Sequence, residues 1–410
     1  MTIRDVARLA NVSVSTASAV INAKATVREA LRLRVLRAIE ALDYHPDNVA
    51  RSLKARCSKT IGIVVPDLTN VFYPEVIRGM EDVARESGYS VIFCDSREDG
   101  ELERSYLRML LSKRVDGVLI APADPYGARD CLTRQRIPFV FFDRVPRNFP
   151  GTAVVTDNFE ASRNAIRYLV GLGHERIAIV VCRPNLPNVS ERLEGFRQAM
   201  KENHLSVPEE YFQYVGYQSE GGYQSGLELM RLPLPPTGIF SCNNKMTLGV
   251  MRALGELHIP CPERVSILGF DDFEWAANIH PRLTAIAQPT YEIGKQAMEL
   301  LKRKLEGERD SAGSAEPHVM VLHNELSVRD STAPPFPFPF VEPIRNTTPW
   351  WASNKGCQSG KRLIEGCCIT LGYPLSRSSS EHCLYSMARG KAVVGIRGQD
   401  YLPISLRRAK

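Results

Sequence analysis

No apolar run in the 410-residue chain approaches the ~20 residues needed to cross a bilayer, so no spanning helix is expected. The first residues, Met1-Thr2-Ile3-Arg4-Asp5-Val6, carry an acid in the first turn and no apolar h-region. They read as a start without a secretory signal, and the cytoplasm is the expected compartment. The ten cysteines contain no Cys-x-x-Cys pair. Neither a zinc site nor a disulfide framework is indicated, and free thiols in a reducing compartment are expected. Also missing are a Gly-rich phosphate loop, G-x-G-x-x-G, H-E-x-x-H and a nucleophile elbow. No catalytic residue, metal or cofactor is therefore expected, and a reading as an enzyme loses its usual supports.

What is present looks ordinary in bulk and uneven in detail. Hydrophobic residues make up 44% and charged residues 24%, as in a water-dissolved globular chain long enough for two or three domains. The net charge is +6, but it is not spread evenly. Residues 1–60 hold eleven basic against five acidic side chains, and residues 332–410 hold eleven against four. The middle, 61–331, holds 30 against 37 and is net acidic by seven. A basic head on an acidic body suits a head that meets a polyanion.

Three short helices are legible in the head. Thr2 can cap the first, with Asp5 three residues on, and Ile3, Val6, Ala7 and Ala10 fall on one face. After a break at Asn11-Val12, Ser13 can cap a second helix through Ile21, with Ala17, Val20 and Ile21 facing inward. Thr26-Val27-Arg28-Glu29 reads as a capping box for a third, with Val35, Leu36, Ile39 and Leu42 inside and Arg32, Arg34 and Arg37 outside. Two short helices joined by a tight turn and closed by a third form a helix-turn-helix, whose second helix enters the major groove. That helix shows small outward residues, Val14, Ser15, Thr16, Ser18 and Ala19, which let it lie deep. Periodicity alone leaves open a plain three-helix bundle with a Ser-rich surface.

The stretches "TIRDVARLANVSVSTASAVIN" and "VREALRLRVLRAIEALDYHPDNVARSLKAR" resemble the DNA-binding head of the lactose/galactose repressor (LacI/GalR) family throughout. The resemblance implies that Val14, Ser15 and Ala19 read bases while Thr16, Ser18 and Asn22 hold the DNA backbone. Ala19 stands where many members carry Arg or His, so one bidentate base contact is missing, worth about 1–3 kcal/mol of discrimination. Residues 46–55 resemble the family's hinge helix, with Pro46 in its first turn. The resemblance places Asn48, Leu53 and Lys54 against DNA, Leu53 as a wedge in a minor-groove step. A plain linker is the alternative.

From residue 60 on, apolar runs alternate with amphipathic ones. Strand-like runs occur at 61–66, 91–95, 115–121, 139–143, 177–182, 238–242 and 266–271. Helical stretches fall at 75–87, 103–113, 160–172, 190–203, 245–257 and 293–305. This order predicts α/β architecture with parallel sheets, two in succession. Ligands bind at the carboxyl ends of such strands, where Asp67, Asn70, Asp143, Asn243, Asn244, Asp271 and Asp272 sit. A single Asp there is more often a helix cap, but repetition at several strand ends favours a shared cleft. The segments "TIGIVVPDLTNVFYPEVIRGMEDVARESGY", "YLVGLGHERIAIV", "VSILGFDDFEWA" and "PRLTAIAQPTYEIGKQAMELL" resemble the same family's sensor, which has the two-lobed fold of periplasmic sugar-binding proteins. The resemblance implies an effector between the lobes, bordered by Asn70 and Phe72 from the first and Arg192, Tyr217, Asn243 and Asp271 from the second. Asn244 departs from the Asp usual in the family, and Lys245 stands where an apolar residue is common.

The expected organisation is a helix-turn-helix domain at 1–45, a hinge at 46–58 and a two-lobed sensor at 60–331. Lobe one takes 60–156 plus 286–316, and lobe two takes 157–285 plus 317–331. Residues 332–410 open on "APPFPFPFVEPIRNTTPWW" and read as a basic, disordered extension whose charge could add nonspecific DNA affinity. The resulting expectation is a homodimeric transcriptional regulator, a repressor of near-palindromic operator DNA, gated by a sugar or sugar derivative, with a nucleobase as the other possibility. A periplasmic-type sugar receptor or carrier is the competing reading. The basic head and the absent signal argue against it.

Overall fold

The computed structural model describes residues 1–21, 27–44, 57–146, 149–182, 185–307 and 319–335, and the backbone of five short strands between 361 and 404. The head consists of α1 (Ile3–Leu9), α2 (Val14–Ile21) and α3 (Glu29–Ala41). The Asp5 carboxylate accepts the Thr2 N–H at 2.9 Å and its hydroxyl at 2.8 Å. Ser13 Oγ accepts the Thr16 N–H at 3.1 Å, satisfying a donor that the first turn of α2 leaves over. Between them Asn11 takes a positive φ of 49°, and Arg34 on α3 donates to its carbonyl at 2.9 Å, so the third helix holds the turn between the first two. Val6, Ala7, Ala10, Ala17, Val20, Val35 and Ala38 form the core.

Two expectations about α3 change. The helix starts at Glu29, with Arg28 at the cap position, and Thr26 of the expected capping box lies outside the described residues. Leu36, expected inside, is 48% exposed. The inner stripe instead runs Val35, Ala38, Ile39, Leu42, the i, i+3, i+4, i+7 spacing, and Leu36 falls one step off it.

The body contains two six-stranded sheets. The first holds β1 (Thr60–Val65), β2 (Ser90–Asp95), β3 (Gly117–Ile120), β4 (Phe139–Phe142), β5 (Ala153–Thr156) and β11 (Val319–Leu322), in the order β11-β5-β4-β3-β1-β2. The second holds β6 (Ile177–Val181), β7 (Phe212–Tyr214), β8 (Gly238–Ser241), β9 (Ser266–Phe270), β10 (Thr284–Ala287) and β12 (Glu325–Ser327), in the order β12-β10-β9-β8-β6-β7. Every pairing is parallel except β10 with β12. The strands β3, β6, β8 and β9 are buried at every residue, as strands covered on both faces must be.

Three strand pairings redraw the lobe boundaries. β10 joins the second sheet beside β9, so the second crossing falls at Gln288 and not at 286. β11 pairs with β5 in the first sheet, so residues 319–322 belong to lobe one, and only from 325 does the chain run in lobe two. The crossings lie after β5, after β10 and between β11 and β12. Asp157 ties the first to the third: its carboxylate accepts the Asn324 N–H at 2.9 Å and lies 2.9 Å from His323 Nδ1. Gln288 ties the second to the first, bonded to Thr156 Oγ1 at 2.9 Å.

Helix pairs close each lobe by backbone contact. Helix Phe72–Glu86 crosses helix Thr290–Glu306, and a Cβ on Gly294 would sit 1.8 Å from the Val76 carbonyl oxygen, one on Gly79 2.2 Å from that of Tyr291. In lobe two, Gly222 and Gly249 play the same reciprocal part between helices Ser219–Arg231 and Asn244–Glu256. Only a residue without Cβ permits such an approach.

The last sensor segment runs further than expected. Ala333 receives a hydrogen bond from His174 Nε2 at 2.9 Å on its carbonyl and donates its N–H to Ser266 Oγ at 3.0 Å. Thr332 Oγ1 lies 2.9 Å from the hydroxyls of both Tyr168 and Thr284. His174 is buried, with Nδ1 3.0 Å from Thr237 Oγ1, and burial holds its pKa below the usual value. Residues 339–410 form a separate unit. There Lys361–Ile364 pairs with Cys367–Thr370, and Leu384–Ala388, Lys391–Gly395 and Leu402–Ile404 form a three-stranded sheet, where the composition predicted unpaired chain.

Gly294→Ala should lower stability by about 1–3 kcal/mol, the usual cost of overpacking a close contact, read as a drop in the melting midpoint of lobe one. A chain ending at Thr332 should melt lower than one ending at Phe338 by about 1–3 kcal/mol. It leaves His174 without its carbonyl acceptor in a buried place, and the two melts compared at pH 7.5 check this.

Candidate DNA-binding head and effector cleft

On α2, Val14 and Ser15 are exposed, Thr16, Ser18 and Ala19 are half-buried, and Ala17 and Val20 face the core. All five expected contact positions on this helix therefore lie off its buried stripe. Ser13 Oγ stands 2.8 Å from both Ser15 Oγ and Thr16 Oγ1, a hydroxyl cluster at the helix N-terminus, where phosphate oxygens are favoured. Asn22, Asn48, Leu53 and Lys54 lie outside the described residues, as does the hinge through residue 56.

The chain returns at Cys57, and one carboxylate seizes it. Asp116 Oδ1 accepts the Ser58 N–H at 2.7 Å and the Ser58 hydroxyl at 3.0 Å. Its Oδ2 accepts the Lys59 N–H at 2.8 Å and the Cys57 thiol at 2.9 Å. Burial, then the hydrogen bond to Asp116, push the Cys57 thiol above its ordinary pKa. Asp116 immediately precedes β3 and Lys59 immediately precedes β1, so the clamp joins the incoming linker to the roots of two central strands. Asp116 falls inside the run 115–121 read as a strand, and nothing in its spacing pointed to this role.

At the other end of those strands a cavity lies between the lobes, with about 490 Å³ of space counting the open solvent at its mouth. Asn70, Phe72, Arg192, Tyr217, Asn243 and Asp271 all line it. The sequence reading also noted Asp67, Asp143 and Lys245 without assigning them; these line it too, as do Tyr73, Glu98, Arg144, Asn188 and Gln288, which carried no signal. Asp272 points elsewhere, paired with Arg329 at 2.6 Å.

Each wall residue is positioned by a neighbour. Arg192, 5% exposed, lies flat on Phe270 with its guanidinium carbon 3.5 Å from the ring centre. Its Nε donates to Asn158 at 2.8 Å and its Nη1 to the Cys242 carbonyl at 2.7 Å. Asp271 ends β9 at a positive φ of 75°, and its Oδ1 accepts Gln288 Nε2 at 2.6 Å. Burial raises its pKa above the usual carboxylate value, while Arg192 works in the opposite direction. Asn243 caps helix Asn244–Glu256 through Oδ1, which accepts the Met246 N–H at 2.7 Å. Arg144 is held by Glu98 through two bonds of 2.8 and 2.7 Å and lies 5.4 Å from the Tyr217 ring centre. Asp143 accepts from Tyr73 of its own lobe and from Asn188 of the other, both at 2.9 Å.

A helix-turn-helix on a clamped linker, carried by two lobes that share one polar cavity, defines a DNA-binding transcription regulator with a small-molecule sensor. Comparison with known proteins agrees. Residues 2–47 match the family described as "Bacterial regulatory proteins, lacI family", and residues 166–332 match "Periplasmic binding protein-like domain". The HTH-type transcriptional repressor PurR of Vibrio vulnificus (strain CMCP6) is 35% identical over 80% of this chain and 98% of its own length. The ribose operon repressor of Escherichia coli (strain K12) is 35% identical over 74% of this chain and 93% of its own. Among solved structures, the lac repressor dimer bound to operator and the anti-inducer ONPF superposes with a TM-score of 0.74 at 25% identity, covering 81% of this chain and 99% of that one. A LacI family transcriptional regulator from Enterococcus faecium with bound ribose gives 0.59 at 32% identity, over 67% and 99%. The chain belongs to the LacI family. Among the described residues no helix is long and apolar enough to cross a membrane.

Asp116→Ala should release Cys57, lowering its thiol pKa toward the ordinary value and speeding its alkylation at pH 8 several-fold. The thiolate is the reactive form, and mass-spectrometric timing of Cys57 labelling reads the rate.

Proposed function

We propose that the chain is a cytoplasmic, homodimeric repressor of a near-palindromic operator, without enzymatic activity, whose grip is set by a neutral sugar in the cleft. One observation carries the sugar assignment. Each cation on the cavity wall is already held by the chain: Arg144 by Glu98, Lys245 by Asp67, and Arg192 by a carbonyl and an amide. An anionic ligand would find Arg144 and Lys245 already neutralised and would face the carboxylates of Asp143 and Asp271, with Arg192 alone to attract it. Hydroxyls instead meet the carboxylates of Asp143 and Asp271, the amides of Asn188 and Asn243 and the Arg192 guanidinium, beside the faces of Phe72 and Tyr217. The ribose operon repressor and the ribose-bound relative support D-ribose as the first sugar to test.

In this reading Val14, Ser15 and Ala19 meet base edges, and Thr16, Ser18 and Asn22 hold phosphates. The hinge, with Asn48, Leu53 and Lys54, enters the minor groove. Asn70, Phe72, Arg192, Tyr217, Asn243 and Asp271 hold the effector. The effector acts through its different affinity for two arrangements of the lobes. The basic extension, residues 336–410, adds charge that strengthens nonspecific contact with DNA.

The experiment is operator binding, on sites selected from random DNA, with and without D-ribose. Arg192→Ala and Asp271→Asn should bind the operator like the parent chain and lose the response. Each should weaken effector binding about ten- to hundredfold, the worth of one buried charged hydrogen bond of ~1.5–3 kcal/mol. Variants that still respond like the parent chain would place the effector elsewhere. A response to a nucleobase and none to D-ribose would change the effector class and keep the site.

A further inference from the structure

Lys245 sits in the first turn of helix Asn244–Glu256. A cation there meets the positive end of the helix dipole, which disfavours it. The structure shows what offsets this. The Lys245 ammonium reaches out of lobe two to Asp67 Oδ2 at 2.6 Å and Thr69 Oγ1 at 2.5 Å, both in lobe one. The paired side chains are only 17% and 15% exposed, so solvent screens the contact weakly. Asp67 is itself prepared for the role. Its Oδ1 accepts the Thr69 N–H at 2.9 Å and the Thr69 hydroxyl at 2.6 Å, which fixes the turn and leaves Oδ2 aimed across the cleft. Burial works to raise the Asp67 pKa, and the bonds from Lys245 and Thr69 outweigh it, so the carboxylate stays ionised. One residue away, Asn244 Nδ2 donates to Asn70 Oδ1 at 2.8 Å, and deeper in the cleft Asn188 bridges to Asp143.

The geometry points to Lys245, with Asp67 and Thr69, as a latch across the cleft mouth that favours lobe closure independently of any effector. The latch shifts the balance of open and closed arrangements, and with it the apparent affinity of a ligand that enters one and is held by the other. It also sets a boundary. A ligand extending past the mouth must displace the ion pair, so the latch selects for a single ring over a linked pair of rings. The latch stands on contacts between the lobes and holds whichever ligand the cavity takes.

Native thiols report on it. Cys182 and Cys242 line the cavity and are 2% and 1% exposed, and burial lifts both thiols above their ordinary value, Cys182 to about 11. Cys94 is buried in the core of lobe one and does not line the cavity. The full-length chain, with no sugar added, is alkylated with iodoacetamide and each cysteine is timed by mass spectrometry. Labelling of a protected thiol follows the open fraction when reclosing is fast. Lys245→Met and Asp67→Asn should each speed labelling of Cys182 and Cys242 about tenfold and leave Cys94 unchanged. Asp67→Asn keeps an Oδ1 acceptor for Thr69 and so preserves the turn. The two changes combined should do little more than either alone, because they remove one interaction. Unchanged rates at Cys182 and Cys242 in both single variants overturn the latch. So does acceleration that Cys94 shares equally, since that marks loss of the fold rather than opening of the cleft.

Discussion

Three crossings of the chain between two sheets govern everything else in the body. A single crossing would leave two beads on a string. Three, bound to one another through Asp157, Asn324, Thr156 and Gln288, permit little beyond opening and closing. They also turn the carboxyl ends of both sheets toward each other. The cavity is a consequence of that arrangement, because strand ends are where a parallel sheet leaves backbone and loop side chains unpaired by its ladder. Gln288 belongs to both parts. It bonds Thr156 at a crossing and Asp271 in the cavity wall, so a ligand that moves Asp271 pulls directly on the pivot.

The same strands connect the cleft to the linker. β1 starts one residue after the Asp116 clamp releases the linker and ends two residues before Asp67. β3 starts directly after Asp116. Between the cleft and the linker there are thus two paired strands and one carboxylate holding four donors.

Much of this was legible beforehand where period and burial coincide. The central strands are apolar throughout because both faces are covered, and they stood out as runs. β7, half-exposed and three residues long with Gln213 in its middle, offered no such run, and β11 is apolar throughout but only four residues long with alternate residues exposed. Helix Ser219–Arg231 was hidden by Gly221, Gly222 and Gly226, which argue against a helix by propensity; Gly222 and Gly226 are there because helix Asn244–Glu256 lies against them. The cleft followed the same rule. Asn70, Arg192, Asn243 and Asp271 could be placed because strand ends and a family resemblance pointed to them. Glu98, Arg144 and Asn188 could not, since each matters through a partner 45 or 46 residues away in sequence, and a one-dimensional pattern does not carry such pairs. Asn243 shows the opposite limit, since one side chain both caps a helix and lines the cavity.

The seat of the final sensor segment has a practical side. His174, Thr237 and Ser266 lie just before or at the start of β6, β8 and β9, the amino ends of the second sheet, while the cavity opens at the carboxyl ends. Ala333 is fastened at that far pole. A fluorescent protein or affinity tag grafted after Pro335 would therefore leave the body on the side away from the cleft. Such a fusion gives a route to a sensor whose readout does not obstruct the entry of the molecule being sensed.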